Sequence, residues 1–83
     1  MTLDVLYFAW LRKRVGLPRE RVETSASTVR ELVAELVART ERHAAALSDL
    51  GAVRVAVDQT LTDLEAPLGN AREVAFFPPM TGG

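Results

Sequence analysis

The sequence contains no cysteine, and this absence excludes several classes of function. Without thiols there is no disulfide framework, no thiolate nucleophile and no cysteine-bound zinc. Small secreted domains usually depend on such cross-links. The N-terminus also has an early acid, Asp4, where a signal peptide has positive charge. We therefore expect a cytoplasmic protein.

Long apolar runs and a surplus of one charge sign are also missing. No stretch approaches the roughly 20 apolar residues of a membrane span, so we expect no membrane partner. Ten Lys+Arg against eleven Asp+Glu leave a net charge of −1. A general nucleic-acid binder needs a basic surplus to displace counterions, so we expect no nucleic-acid partner. The 83 residues, 48% of them hydrophobic, predict a single domain, 1–83, with its own core.

Residues that could carry catalysis are scarce in the body of the domain. His43 is the only histidine, and we expect it on the surface or at a helix end, not in catalysis. Asp58, Asp63 and Glu65 do not have the spacing of a calcium loop. The serines lie in no nucleophile elbow, and the internal glycines are isolated. The sequence therefore predicts neither a metal site nor a catalytic constellation in the body.

Alternating and helical apolar patterns predict the elements. Strands are predicted at residues 3–9, 19–24 (an edge strand), 53–58, 60–62 and 73–77, and one or two helical turns at 10–15. Thr28 and Glu31 form a capping box that starts the main helix, and apolar residues then recur every three or four positions. We expect Arg39, Arg42 and His43 near the C-terminal end of this helix, where positive charge suits the helix dipole. Residues 44–50 either extend it or form another short helix.

This element order predicts an α+β protein. The single amphipathic stripe must be buried, and a mixed sheet is the surface available for it. Two strands, a crossing helix and a last strand beside the first describe a β-grasp, or ubiquitin-like, roll. In this roll one main helix packs across the sheet. Other α+β rolls fit the same order.

The outer face of this sheet is predicted to carry large apolar groups. In the first strand, Leu6 and Phe8 point away from the face that carries the core residues. Phe77 joins them if the first and last strands pair, and Leu61 lies nearby. Such a face is typical of a partner-binding surface. The alternative is that a loop or residues 44–50 cover it.

The C-terminus is the remaining candidate for chemistry. Residues 78–83 form a predicted flexible tail that can extend about 20 Å into a partner's pocket. Pro78 and Pro79 end the last strand and stiffen its base, whereas Gly82 and Gly83 have no Cβ and can thread a narrow slot. The reactive group would be the Gly83 carboxylate, activated as a mixed anhydride with AMP. The alternative is a frayed terminus.

Four segments of the chain resemble the small subunit of molybdopterin synthase, a family of ubiquitin-like sulfur carriers. They are residues 5–9, 28–32, 55–59 and 73–83, in that order. The last, Glu-Val-Ala-Phe-Phe-Pro-Pro-Met-Thr-Gly-Gly, is the most specific. The chain departs from the family in having Asp58 where Asn is frequent and Met80 where Val is common, and neither change touches the reacting end.

The resemblance implies a chemistry for the tail. Gly83 would be adenylated by a ubiquitin-activating-type adenylyltransferase that uses ATP and magnesium, and then converted to a thiocarboxylate (1-thioglycine). The tail would insert into the large subunit of the synthase, in an expected heterotetramer, with Gly82 allowing the passage. There it would give sulfur to a cyclic pyranopterin precursor to form the molybdopterin dithiolene. No cofactor is expected to bind this chain directly, and the catalytic side chains are expected on the large subunit.

The resemblance also marks partner-binding residues, and three other functions stay open. The expected contacts are Phe8, Leu61, Phe77, Pro78, Pro79, Met80 and Thr81. A thiamine-type sulfur carrier shares the fold and the diglycine end, but usually lacks the Phe-Phe-Pro-Pro stretch. A ubiquitin-like protein modifier would form isopeptide bonds, although Lys13 is the only lysine available for chains of this protein. The last alternative is a plain binding domain.

Overall fold

The computed structural model describes residues 1–79, which form a five-stranded mixed sheet with helices packed on one face. In chain order the elements are β1 (Thr2–Tyr7), α1 (Trp10–Val15), β2 (Arg19–Glu23), α2 (Val29–Val37), α3 (Glu41–Leu47), a 3-10 turn (Leu50–Ala52), β3 (Arg54–Val57), β4 (Thr60–Thr62) and β5 (Glu73–Phe77). Within this part of the chain no helix is both long and apolar enough to cross a membrane.

The strand order is β2-β1-β5-β3-β4, with β1 and β5 parallel and the other neighbours antiparallel. The predicted α+β architecture, with the last strand beside the first, is confirmed. β2 is an edge strand, as its charged composition predicted. Because β1 and β5 run in the same direction, their C-terminal ends lie at the same edge of the sheet. That edge is where α1 begins and where the chain continues into Pro78.

Strand alternation places the core on the helix side of the sheet. Leu3, Val5 and Tyr7 are at most 1% exposed. They pack in one cluster with Val74 and Phe76 of β5 and with the apolar stripe of α2. Burying one such side chain stabilises the fold by about 1.5–3 kcal/mol, so this shared cluster is what holds the helices on the sheet.

The start of α2 follows the predicted capping box. The Thr28 hydroxyl accepts the Glu31 N–H at 3.3 Å. The Glu31 carboxylate accepts the N–H of Ser27 at 2.7 Å, one residue before the cap. Two amide groups at the helix start are thereby satisfied by side chains.

The predicted position of Arg42 and His43 at the C-terminal end of the main helix is wrong. α2 ends at Val37, and a second helix begins after Thr40, whose hydroxyl accepts the His43 N–H at 3.1 Å. Both residues therefore lie in the first turn of α3. His43 therefore lies at a helix end, one of the two positions expected for it, but the surface position is wrong, because its side chain is 5% exposed and packs edge-on to Tyr7.

Candidate functional site on the outer sheet face

An apolar row crosses four strands on the face opposite the helices. Leu6 is the register partner of Ala75, Ala75 of Ala56, and Ala56 of Leu61. Register partners project to the same side of a sheet. The predicted approach of Leu61 to the outer face of β1 and β5 is therefore confirmed, with two alanines between Leu6 and Leu61.

Phe8 and Phe77 flank this row at the edge where β1 and β5 end. Phe8 follows β1, and its N–H donates to the Phe76 carbonyl at 3.0 Å, which keeps it beside β5. Together with the alanines they border an open groove of about 840 Å³. The lining residues are Leu6, Phe8, Ala9, Ala56, Gln59, Glu73, Ala75, Phe77, Pro78 and Pro79.

The described part of the chain leaves this face open. Phe8 is 46% exposed and Leu61 is 68% exposed. The alternative that residues 44–50 cover the face is wrong, because Ala46 and Leu47 are buried in the core on the opposite side. Large apolar side chains that share one exposed face are typical of a protein-binding surface.

A turn between β3 and β4 lies at the far end of the groove, and the sequence did not predict it. Asp58 and Gln59 both have positive φ, 49° and 69°, as a tight two-residue hairpin requires. The Asp58 carboxylate accepts the N–H groups of Arg72 and Glu73 at 2.9 and 3.0 Å. These two hydrogen bonds join the β3–β4 hairpin to the start of β5, so they set the position of the strand that carries the tail. The Asp-Gln pair is not a typical hairpin signal, which explains why the sequence did not reveal it.

A polar cluster lies on the helix side, away from the groove. The Tyr7 hydroxyl and His43 Nε2 lie 2.7 and 2.6 Å from the same carboxylate oxygen of Glu20, and Arg39 lies 3.8 Å from the other. Burial raises the pKa of the Glu20 carboxyl, but the hydrogen bonds with His43 and Tyr7 outweigh it, and the net pKa is lowered. Burial and the bond to Glu20 raise the pKa of the Tyr7 hydroxyl. These groups satisfy one another, as a structural network does.

The base of the tail lies at the edge of the groove. Pro78 and Pro79 are half-buried there and line it, while their role as partner contacts stays a prediction. Met80, Thr81, Gly82 and Gly83 lie outside the described residues, so their predicted roles rest on the sequence. Among residues 1–79, no group of three His, Cys, Asp or Glu side chains is arranged to hold a metal ion.

Comparison with known proteins gives consistent relatives. The ThiS family profile matches residues 5–83. The molybdopterin synthase sulfur carrier subunit of Escherichia coli (strain K12) is 43% identical, over 98% of this chain and 99% of the relative. The protein of the same name from Haemophilus influenzae is 38% identical over the same shares.

Two solved structures are similar over nearly the whole chain. One belongs to a complex of subunits 1 and 2 of the molybdopterin-converting factor from Helicobacter pylori. It is 25% identical over 100% of both chains, with a TM-score of 0.67. The other is small archaeal modifier protein 1 of Haloferax volcanii, 26% identical over 95% of this chain and 98% of that chain, with a TM-score of 0.72.

Proposed function

Because this chain belongs to the ThiS family, we propose that it is the sulfur carrier subunit of a molybdopterin synthase. The observation that carries the proposal is the position of the open apolar face. The groove reaches Phe8 and Pro78 at the edge where the tail leaves the sheet. One partner can therefore hold the face and receive the tail at the same time.

The proposed chemistry takes place at the Gly83 carboxylate. A carboxylate oxygen attacks the α-phosphorus of ATP bound with magnesium on a ubiquitin-activating-type adenylyltransferase, and pyrophosphate leaves. Hydrosulfide then displaces AMP from the acyl adenylate and leaves a C-terminal thiocarboxylate. The thiocarboxylate sulfur attacks a carbon of the cyclic pyranopterin precursor and displaces an oxygen from it. Water then cleaves the acyl–sulfur bond, which leaves the sulfur on the pterin and a carboxylate on Gly83. Glycine suits these steps because it has no Cβ to block a narrow slot.

The proposed partner on the outer face is the large subunit of the synthase. Ala56 and Ala75 are short, which lets a partner surface approach the sheet closely, while Phe8 and Phe77 supply aromatic anchors. The large subunit contributes the catalytic side chains, and two copies of each subunit form the assembly. The chain acts in the cytoplasm, where the ATP for activation is available.

Intact-mass spectrometry tests the sulfur-carrier step. The full chain is incubated with ATP, magnesium, a sulfur source and the adenylyltransferase. We expect the mass gain of one oxygen replaced by sulfur, mapped to Gly83. A chain that ends at Gly82 is the matched control and should gain nothing. An unmodified full chain, with an enzyme that is active on another carrier, would contradict the proposal.

The archaeal modifier structure favours protein conjugation as a second candidate. A modifier would transfer its Gly83 acyl group to a lysine of another protein with loss of AMP, so no sulfur would enter. The same mass measurement separates the two, because a conjugate gains the mass of a protein. A thiamine-type carrier would gain sulfur too. It is distinguished by a second assay, because only a molybdopterin synthase subunit should pass its sulfur to the pyranopterin precursor when the large subunit is added.

A further inference from the structure

A cluster of positive charge lies at the edge of the sheet where the tail leaves. α1 begins at Trp10, directly after Phe8 and Ala9, which line the groove. Residues 5–19 include four basic side chains and no acidic one. Three of them, Arg12, Lys13 and Arg14, are consecutive and exposed on α1.

Arg42 of α3 adds a fourth charge that is held in place. Its Nε donates to the Arg14 carbonyl at 3.2 Å, and its Nη2 lies 3.5 Å from the Lys13 carbonyl. The guanidinium packs against Gly16, where a Cβ would stand 3.1 Å from Cζ. Arg12, Lys13, Arg14 and Arg42 are here called the α1 basic cluster.

No carboxylate within residues 1–79 forms an ion pair with the α1 basic cluster. Within residues 1–79, the carboxylates pair with Arg19, Arg21, Arg30, Arg39 and His43. Arg14 instead lies over the Trp10 ring, 5.1 Å from its centroid. This cation–π contact holds the Arg14 charge against the first residue of α1, which follows the groove residue Ala9.

Stabilisation of α1 does not account for so much charge. The C-terminus of a helix carries about half an elementary negative charge, and the effect fades within the last turn. The cluster brings four positive charges to a helix of six residues. Arg42 already binds the terminal carbonyls. The remaining three cations exceed what the helix end requires.

We propose that the α1 basic cluster docks against an acidic patch of the large subunit, beside the slot that receives the tail. The inference rests on the proposed function, since Arg12 follows three residues after Ala9, which lines the groove that the large subunit is proposed to cover. The chain's net charge of −1 disfavours nucleic acid as the partner. Complementary charge at the rim of an interface speeds association more than it slows dissociation.

The test is the association rate of the full chain with the large subunit, measured by stopped flow at low and high salt. Arg12→Glu and Lys13→Glu are the test variants. Arg72→Glu is the matched control, because Arg72 is also exposed but precedes β5 at the opposite edge. We expect each test variant to associate about tenfold more slowly at low salt, with little change in dissociation. The difference should disappear near 1 M salt, where the screening length is about 3 Å.

Several results would overturn this inference. The first is that the test variants associate with the large subunit as fast as Arg72→Glu does. The second is that the wild-type association rate does not depend on salt. The third is that the test substitutions weaken binding of the chain to duplex DNA but leave its association with the large subunit unaffected. Lys13→Gln, with half the charge change, keeps the test valid if a reversal unfolds α1. Failure of the wild-type chain to bind the large subunit would reject the proposed function together with this inference. Normal wild-type binding with insensitive variants would reject the inference alone.

Discussion

The Tyr7 hydroxyl donates a 2.7 Å hydrogen bond to the Glu20 carboxylate, which joins the end of β1 to the start of β2. The same carboxylate oxygen lies 2.6 Å from His43 Nε2 of α3. The Tyr7 ring stacks on Phe76 of β5 with an interplanar angle of 18°. The Glu20 carboxylate therefore connects the edge strand with β1 and the helix layer, and the Tyr7 ring extends this contact to β5.

Acid should weaken the fold through Glu20. Its folded-state pKa is lowered below the ordinary value of 4.5, so its contribution to stability is present above that value and is lost as pH falls through the folded pKa. Glu20→Gln should lower the free energy of unfolding by about 1–3 kcal/mol at neutral pH. It should also make that free energy fall less steeply as the pH is lowered. Urea denaturation at several pH values measures both effects. Glu23→Gln, on the exposed side of β2, is the control, and an equally steep acid loss in Glu20→Gln would contradict the prediction.

Gly16→Ala should destabilise the domain by about 1–2 kcal/mol. Gly16 ends α1 with φ of +94°, a left-handed conformation that costs other residues about that much. The new methyl group would also press on the Arg42 guanidinium. Gly51→Ala is the control, because its φ is not positive and its added Cβ meets only an ordinary contact at 3.4 Å. Equal thermal midpoints for the two variants would show that Gly16 carries no strain.

Phe77→Ala should weaken large-subunit binding by about 1–4 kcal/mol, the range for an aromatic anchor in an interface. Phe77 lines the groove and lies beside the base of the tail. Leu17→Ala removes a large exposed side chain that does not line the groove, and should leave the affinity unchanged. Calorimetric titration compares them. Similar affinities for wild type and Phe77→Ala would mean that the large subunit does not use this face.

Removal of Gly83, or addition of one residue after it, should abolish sulfur transfer without changing the thermal midpoint. The proposed chemistry requires a terminal carboxylate at the reach of Gly83, and a tail one residue shorter or longer would misplace it, whereas the core is built from residues before Pro78. Product formation with the large subunit is measured beside thermal unfolding of each variant. Retained transfer by either variant would place the reacting group elsewhere.

The sequence by itself determined the features that follow from local periodicity. Alternation in β1 and β5 placed Phe8 and Phe77 outside and Tyr7 and Phe76 inside, because successive side chains of a strand project to opposite faces. The Thr28 capping box likewise marked the start of α2, since its partners lie within four residues.

Only the tertiary structure decided the features that depend on distant partners. The buried position of His43 depends on Glu20, 23 residues away, which supplies a polar partner inside the core. Arg42 turns toward α1 because the carbonyls that end this helix, 28 and 29 residues earlier, accept its hydrogen bonds. The two hydrogen bonds that the Asp58 carboxylate accepts likewise need the N–H groups of Arg72 and Glu73. No local pattern encodes such pairings, because they form only when packing brings the two segments together.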